Sequence, residues 1–310
     1  MKMILLSDLH LINDNPIARL DNLTEVQWEK LDFIFSYARK ENIRHILQAG
    51  DFTDTKRSWE LLQKLADYFS PLRQKVKIYC VKGQHDSYYH DMENQKTTTG
   101  VLISSGLLTL LGPEPNVFVR DSNSSILIYG ASFGEDVPKV GNKQTCNILV
   151  IHAPIGVMNT PHVEHVDAVR FMKKNKDFDL ILCGDIHEKF LIEGDKQIIC
   201  NTGPLLRKEA TEYIMSHQPC FYVYDTDSHK IKTVNIPVTD GKQVMSREHI
   251  DQRKERQDNF AAFVEKVREK SSGSSIDFSE NLKMVMFKNK TSKDVRKIID
   301  SYMAEERKDL

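Results

Sequence analysis

No stretch of this sequence stays apolar for the roughly 20 residues that a membrane-spanning helix needs, and no internal repeat is visible. The opening segment, MKMILLSD, has too short an apolar run for the core of a secretory signal, so the cytosol is the expected compartment and no membrane is an expected partner. Net charge is almost absent as well: 43 Lys and Arg face 44 Asp and Glu, leaving −1. That balance excludes a global basic field, and any contact with DNA has to come from local patches. The five cysteines (Cys80, Cys146, Cys183, Cys200, Cys220) are odd in number and show no C-x-x-C spacing. Cys80, Cys183 and Cys200 lie inside apolar runs and read, with the others, as small core residues in a reducing compartment. Low-complexity sequence is confined to SSGSS at 271–275.

What is present fits a soluble globular protein: 40% of residues are apolar and 28% charged, on a chain long enough for a large domain with a small appendage. Short apolar, β-branched runs recur up to residue 237: KMILLSD, RHILQAGD, KIYCVKG, SILIYGA, NILVIHA, DLILCGD, QIICNTG, CFYVYD and KIKTVNIPV. Their length and their Gly, Asp and Asn flanks predict strands. Three helices are expected between them. The first follows Thr24 with Gln27 completing a capping box and carries Trp28, Leu31, Ile34, Phe35 and Ala38; the second covers 57–69; the third starts at Thr160-Pro161 with Val163, Val166 and Val169 on one stripe. The alternation predicts α/β layers with helices on a mixed sheet or sandwich. After Pro237 the sequence turns charged and helical, with Phe260, Phe263, Val264 and Val267 on one face. A last helix carries Val295, Ile298, Ile299, Tyr302 and Met303 on one stripe. The expected organisation is therefore a domain over 1–237 and a helical appendage over 238–310.

The chemistry sits where the strands stop. One run ends in Ser7-Asp8-Leu9-His10, the next in Gly50-Asp51-Phe52-Thr53-Asp54, the third in Gly83-Gln84-His85-Asp86. Further on come Ile151-His152-Ala153 and Cys183-Gly184-Asp185-Ile186-His187. Singly, each block is also ordinary strand-end turn chemistry. Together they place carboxylates, imidazoles and a carboxamide at the C-terminal ends of strands, where α/β sheets open onto a binding crevice. Such a concentration of polar groups is costly unless a positive charge holds it. Mixed oxygen and nitrogen donors suit Mn²⁺, Fe²⁺ or Zn²⁺ better than Ca²⁺ or thiolate-seeking metals.

The order D-x-H, GD-x-x-D, G-x-H-D, a lone His and G-x-x-H resembles the signature of the calcineurin-like metallophosphoesterases across residues 1–237. The resemblance implies a four-layer α/β/β/α sandwich with a dinuclear centre at the strand ends. Asp8, His10 and His187 would hold the first ion, Gln84, His152 and Asp185 the second, and Asp51 would bridge them. Two divalent ions about 3.5–4 Å apart lower the pKa of a bridging water and neutralise charge on the attacking and leaving oxygens. His85 would protonate the leaving group, oriented by Asp54 or Asp86. Two positions depart from the pattern: Gln84 stands where the family has Asn, and Asp185 where it has His. Both belong to the second ion. An anion on a shorter stem at 185 should favour harder ions such as Mn²⁺ or Mg²⁺, and occupancy of one position alone is the competing expectation.

Within that superfamily, DLH with GD-x-x-D, the turn Asn201-Thr202-Gly203-Pro204 and the run CFYVYDTD are similar to the SbcD-like nuclease branch. That likeness implies a Mn²⁺-dependent DNA exonuclease and endonuclease subunit of a recombination or repair complex, with an SMC-like SbcC-type ATPase partner and a homodimer. Two other readings stay open: a phosphodiesterase or phosphatase acting on small nucleotides or phosphoproteins, and a scaffold that keeps the fold without catalysis. The scaffold draws support from Gln84 and Asp185, while retention of the remaining motif residues, His85 included, argues against it. No DNA-contacting residue is assigned; Arg253-Lys254-Arg256, Lys173-Lys174-Lys176, Lys139 to Lys143 and Tyr88 are candidates that solvated faces or packing explain equally well.

Overall fold

Each of the apolar runs named above becomes a strand, and most of the central ones are buried on both sides. The computed structural model describes residues 1–87, 96–119, 125–141, 146–157, 165–271 and 278–306, and it divides into two compact units, Met1–Ser246 and Arg247–Leu310. The first unit opens with β1 (Lys2–Leu6), α1 (Leu23–Lys40), β2 (His45–Gln48), α2 (Trp59–Phe69) and β3 (Lys77–Cys80), then a 3-10 turn at Gln84–Asp86. It continues with α3 (Thr98–Ser104), β4 (Thr109–Leu110), β5 (Asn116–Val119), β6 (Ser125–Ala131), β7 (Cys146–Ala153), β8 (Ile155–Gly156), β9 (Val166–Asp167), α4 (Ala168–Lys174) and β10 (Leu180–Asp185). It closes with β11 (Phe190–Glu193), β12 (Ile198–Asn201), α5 (Glu212–Ser216), β13 (Cys220–Asp225), β14 (Lys230–Asn235) and α6 (Gly241–Val244).

Two six-stranded sheets result. One has the order β14-β13-β1-β2-β3-β4, parallel from β1 to β4 and antiparallel at β13 and β14. The other has the order β11-β12-β10-β7-β6-β5, with a parallel centre and antiparallel edges. Side chains alternate between the faces of a strand, and that alternation sorts the core into layers. From β1, Ile4 and Leu6 join the core that holds Leu31 and Ile34 of α1 and Leu61 and Leu65 of α2. Met3 and Leu5 face the other way, into a core shared with Ile148, Val150, Leu180 and Leu182 of the second sheet. Leu149, Ile151, Ile181 and Cys183 then meet Ala168 and Met172 of α4. The layers are thus α/β/β/α, the expected sandwich. Double-sided burial also explains why these strands read as continuous apolar runs, each buried Leu or Ile contributing about 1.5–3 kcal/mol. All five cysteines are free and buried.

The structure corrects several expectations. α1 is capped by Asn22, whose side chain accepts from the Thr24 N–H, and Gln27 turns inward instead of closing a capping box. Its amide pairs with the Ile12 N–H and C=O at 2.9 and 2.8 Å, satisfying the polar loop after His10. The third helix begins at Ala168 with Asp167 as its cap, and Val166 lies in the short strand β9, half exposed. Thr160, Pro161 and Val163 fall outside the described residues, as do Tyr88 and Lys143. Residues 238–246 pack on the first unit, not with an appendage: Ser246 N–H donates to Ala18 C=O and Leu20 N–H to Val244 C=O.

The second unit contains α7 (Glu248–Ser271), α8 (Phe278–Lys288) and α9 (Lys293–Glu306). Its core is Leu282 and Met286 of α8 with Ile299 of α9, flanked by Phe260 and Phe263. α8 was not anticipated. On the expected α9 stripe Ile299 is buried, while Val295, Ile298 and Tyr302 are exposed. Among the described residues no helix is long and apolar enough to cross a membrane.

The two sheets approach each other closely where their central strands end. A Cβ on Gly184 would lie 2.1 Å from the Ala49 carbonyl oxygen, so only glycine lets β10 approach the end of β2. Gly184→Ala is expected to lower unfolding stability by about 1–3 kcal/mol, as overpacking does, measured by denaturant unfolding of the metal-free protein. Wild-type stability in this variant would contradict so close a junction.

Candidate metal centre

All five polar strand ends converge at that junction. Asp8 and His10 follow β1, Asp51 follows β2, Gln84 follows β3, His152 is near the end of β7, and Asp185 ends β10 with His187 just beyond. Three of these residues hold positive φ without being glycine: His10 at 47°, Asp51 at 50° and Asp185 at 94°. Such backbone costs on the order of 1–3 kcal/mol per residue and persists only where the surroundings hold it. Here they do. The His10 N–H donates to the Asp51 carbonyl at 2.9 Å, the Asp185 N–H to Asp8 Oδ1 at 2.9 Å, and the Ser7 hydroxyl to the Cys183 carbonyl at 2.7 Å.

Asp51 is the hinge of the arrangement. Its Oδ1 accepts the His85 backbone N–H at 2.8 Å, which leaves Oδ2 between two imidazoles, 3.6 Å from His10 Nε2 and 3.5 Å from His152 Nε2. On the His10 side, Asp8, His10 and His187 bring donor atoms within 4.8 Å of one another, and the His10 and His187 Nε2 atoms are 2.8 Å apart. On the other side, His152 Nε2 lies 2.7 Å from Gln84 Oε1 and 3.9 Å from Asp185 Oδ1. Asp8, Asp51 and His152 form a second group of donors within the same 4.8 Å limit.

His85 borders the cluster and is the most open of its imidazoles, its side chain 41% exposed. Its ring meets the His10 ring edge-on with centroids 4.8 Å apart. Of the two carboxylates expected to orient it, Asp54 is in place: His85 Nδ1 is 3.3 Å from the Asp54 carbonyl oxygen and 3.6 Å from its Oδ1. Asp86 is otherwise engaged. Its buried carboxylate accepts from Phe52 N–H, Thr53 N–H, Gly83 N–H and the Thr99 hydroxyl, tying the second and third strand ends together. Lys208 is a residue the sequence reading missed; its ammonium pairs with Asp54 Oδ1, the same oxygen that takes His10 Nδ1 at 3.1 Å. It lies four residues past the turn at 201–204, and nothing in its type or spacing singled it out. Lys173, Lys174 and Lys176 are exposed at and just past the C-terminal end of α4, where the helix dipole favours them without any ligand.

The donor set fits a cation. Asp8 is fully buried, and its Oδ2 has no hydrogen-bond partner. Burial raises the Asp8 carboxyl to about 6 even against the pull of His152 and His10. His152 Nδ1 lies 2.6 Å from the Ala49 carbonyl and has to donate to it. Nε2 of the neutral ring then carries a lone pair, yet it faces three oxygens, from Gln84, Asp51 and Asp185. Only a proton or a metal ion reconciles them. Burial works against the charged ring, but the hydrogen bond and charge of Asp51, with the charge of Asp8, outweigh it and hold His152 at about 9. Burial likewise opposes the Asp51 anion, and His152, His10 and His85 more than compensate, bringing it down to about 2. Burial, with His10 and Lys208 nearby, keeps His187 neutral and down at about 3, so its ring is free to ligate.

Residues 1–189 match the family model described as calcineurin-like phosphoesterase. The chain therefore belongs to that family, which uses a dinuclear divalent site and points to a metal-dependent hydrolase. Among solved structures it is similar to an archaeal phosphodiesterase (13% identity over 76% of this chain and 99% of that one, TM-score 0.40). It is also similar to wild-type Vps29 complexed with Zn²⁺ from Entamoeba histolytica (13% identity, 76% of this chain and 100% of that one, TM-score 0.36). Comparison with curated proteins gave no match.

A divalent ion at His152 must displace the proton that the metal-free ring holds up to about 9. Apparent metal affinity should therefore rise as pH increases, by about tenfold per unit for one proton displaced, and more steeply below about 6, where Asp8 also binds a proton. Calorimetric Mn²⁺ titrations between pH 6 and 8 in buffers of different ionisation enthalpy check this; a pH-independent affinity with no proton released would contradict it.

Proposed function

We propose that the protein is a Mn²⁺-dependent phosphodiesterase that cleaves DNA, a nuclease subunit of the SbcD-like kind working in recombination or repair. The observation that carries the hydrolytic part is the position of Asp51 Oδ2 between His10 and His152, which gives two donor groups one shared carboxylate oxygen. Asp8, His10, His187 and Asp51 would hold one ion; Asp51, Gln84 and His152, with Asp185 beside them, the other. Two divalent ions supply an activated water and neutralise charge on a bound phosphate. Mixed carboxylate, amide and imidazole donors suit Mn²⁺, Fe²⁺ or Zn²⁺, and the carboxylate of Asp185 in place of an imidazole shifts the preference toward the harder Mn²⁺.

The chain's own residues supply the rest. With Nδ1 facing the Asp54 carbonyl, His85 has Nε2 left to give a proton to the departing oxygen. Asp54 gathers His10, His85 and Lys208 around one oxygen. Its carboxyl stays ionised far below the usual range, because hydrogen bonds from His10 and Lys208 outweigh the opposing effect of burial. Asp54 therefore remains an anion that holds both rings in place at any working pH.

Support for a DNA substrate comes from the turn at 201–204, which is built into the site wall. Thr202 Oγ1 accepts the Ser7 N–H at 2.8 Å, and the Leu205 N–H reaches the Asp8 carbonyl at 2.8 Å. This turn and the GDFTD block are the features most similar to the nuclease branch. The helical unit beyond Ser246 leaves Phe287, Ile298 and Tyr302 exposed after its own small core is formed. It is the segment that would dock on an SMC-like SbcC-type ATPase; a homodimer would complete the complex.

The test is hydrolysis of end-labelled duplex and single-stranded DNA with Mn²⁺, beside a generic phosphodiester and a phosphomonoester. His85→Asn should lower DNA cleavage by about 10²–10⁴-fold while leaving metal uptake intact. Turnover of the small esters without DNA cleavage would overturn the nuclease reading, and cleavage by His85→Asn at the wild-type rate would remove the histidine from proton transfer.

A further inference from the structure

On the second side of the cluster, two residues hold each other. Gln84 Nε2 donates to Asp185 Oδ1 at 2.6 Å, and Gln84 Oε1 lies 2.7 Å from His152 Nε2. The contact joins residues 101 positions apart and crosses from the turn after β3 in one sheet to the last residue of β10 in the other. It spans the junction of the sandwich at the donor cluster itself.

A carboxamide has two ends of opposite character, an acceptor oxygen and a donor nitrogen, and rotation about its last bond exchanges them. Only the oxygen is of use to a cation. An ionised carboxylate accepts and never donates, so Asp185 admits the nitrogen end alone and turns the oxygen toward His152 Nε2. With the amide reversed, two oxygens would face each other across 2.6 Å, and an NH₂ group would point at the position shared by His152 Nε2 and Asp51 Oδ2.

Asp185 is itself held. It keeps φ at 94°, and its N–H is tied to Asp8 Oδ1 at 2.9 Å. Its Oδ1 stands 3.9 Å from His152 Nε2, against 2.7 Å for Gln84 Oε1. Gln84 is therefore the nearer oxygen at that position. Arm lengths agree with this division: glutamine's two methylenes carry its amide across the gap, and the one-carbon arm of aspartate stops at the far end of that amide.

We infer that Asp185 is a positioning residue, which fixes the amide of Gln84 by a hydrogen bond so that the Gln84 oxygen serves the second metal position. The inference rests on the dinuclear reading above and assigns distinct roles to two residues of that site. Gln84 contacts the ion. Asp185 acts through Gln84.

Mn²⁺ titration of the metal-free protein tests it, followed by calorimetry and by the electron paramagnetic resonance signal of magnetically coupled Mn²⁺ pairs. Wild type should bind two ions and give the coupled signal. Asp185→Ala should weaken the second ion by about 10–100-fold, as loss of a residue that orients a metal ligand does, and shift the appearance of the coupled signal to correspondingly higher Mn²⁺. The first ion should bind unchanged, which certifies that the variant is folded. Asp185→Asn keeps an oxygen that can accept the Gln84 N–H and should retain most of the second-ion affinity. If it fell as far as Asp185→Ala, Asp185 would be acting by its charge or as a ligand, and the inference would be overturned. Gln84→Ala should lose the second ion as well, and adding Asp185→Ala to it should cost nothing further, because residues that act as one unit are not additive. Two ions in wild type with additive losses would overturn this inference alone. A single ion in wild type would overturn the dinuclear reading and the inference together.

Discussion

The carboxylate of Asp51 is the constraint around which the rest is arranged. One of its oxygens is taken by the His85 backbone, and the other stands between the imidazoles of His10 and His152. Around it lie Asp8, fully buried with an unsatisfied oxygen, and a histidine whose two nitrogens both face acceptors. Buried carboxylates and imidazoles in this number are tolerable only when they share positive charge. A cluster of this kind is a liability in a purely structural core and an asset in a metal centre.

The fold brings the cluster together by making two parallel-stranded sheets meet at the same end. Residues just past β1 and β2 reach residues of β7 and β10 across the sandwich: Ser7 bonds to Cys183, Ala49 to His152 and Asp8 to Asp185. The loops that follow the strands are fastened from behind by buried polar side chains. Asp86 collects four donors from two strand ends, and Gln27 satisfies the loop after His10. Gln48 donates to the Ser7 carbonyl at 2.9 Å and secures the first strand end to the second. This backing is what lets His10, Asp51 and Asp185 keep left-handed backbone conformations, because the strain is spread over contacts that cannot all relax at once.

Much of this was legible in the sequence for a simple reason. Strands buried on both faces are written as unbroken apolar runs, and the polar residue that ends each run is conspicuous against them. DLH, GDFTD, GQHD, the lone His152 and GDIH could therefore be found without knowing how the sheets pair. Helix boundaries were less legible. Gln27 has the type and spacing of a capping-box residue, yet the backbone of Ile12 offered it a better pair of partners. Val166 fits a helical stripe but lies in a short strand whose partner, Ile155, is set by pairing rather than by local propensity. α8 escaped notice because, among its described residues, only Leu282 and Met286 are buried, too few for a clear apolar face.

By itself the sequence determined the alternation of strands and helices, the two-sided burial of the strands, and the kinds of donor at their ends. These are local properties, set by side-chain type and by period. Tertiary structure alone decided which donors stand together. It set Asp51 between two histidines, assigned Asp54 to His85 while giving Asp86 to the backbone, brought Lys208 to Asp54, and placed the amide of Gln84 against Asp185. Most of these contacts join residues far apart in the chain, fixed by strand register within one sheet and by the separation of the two packed sheets, and no local pattern carries that information.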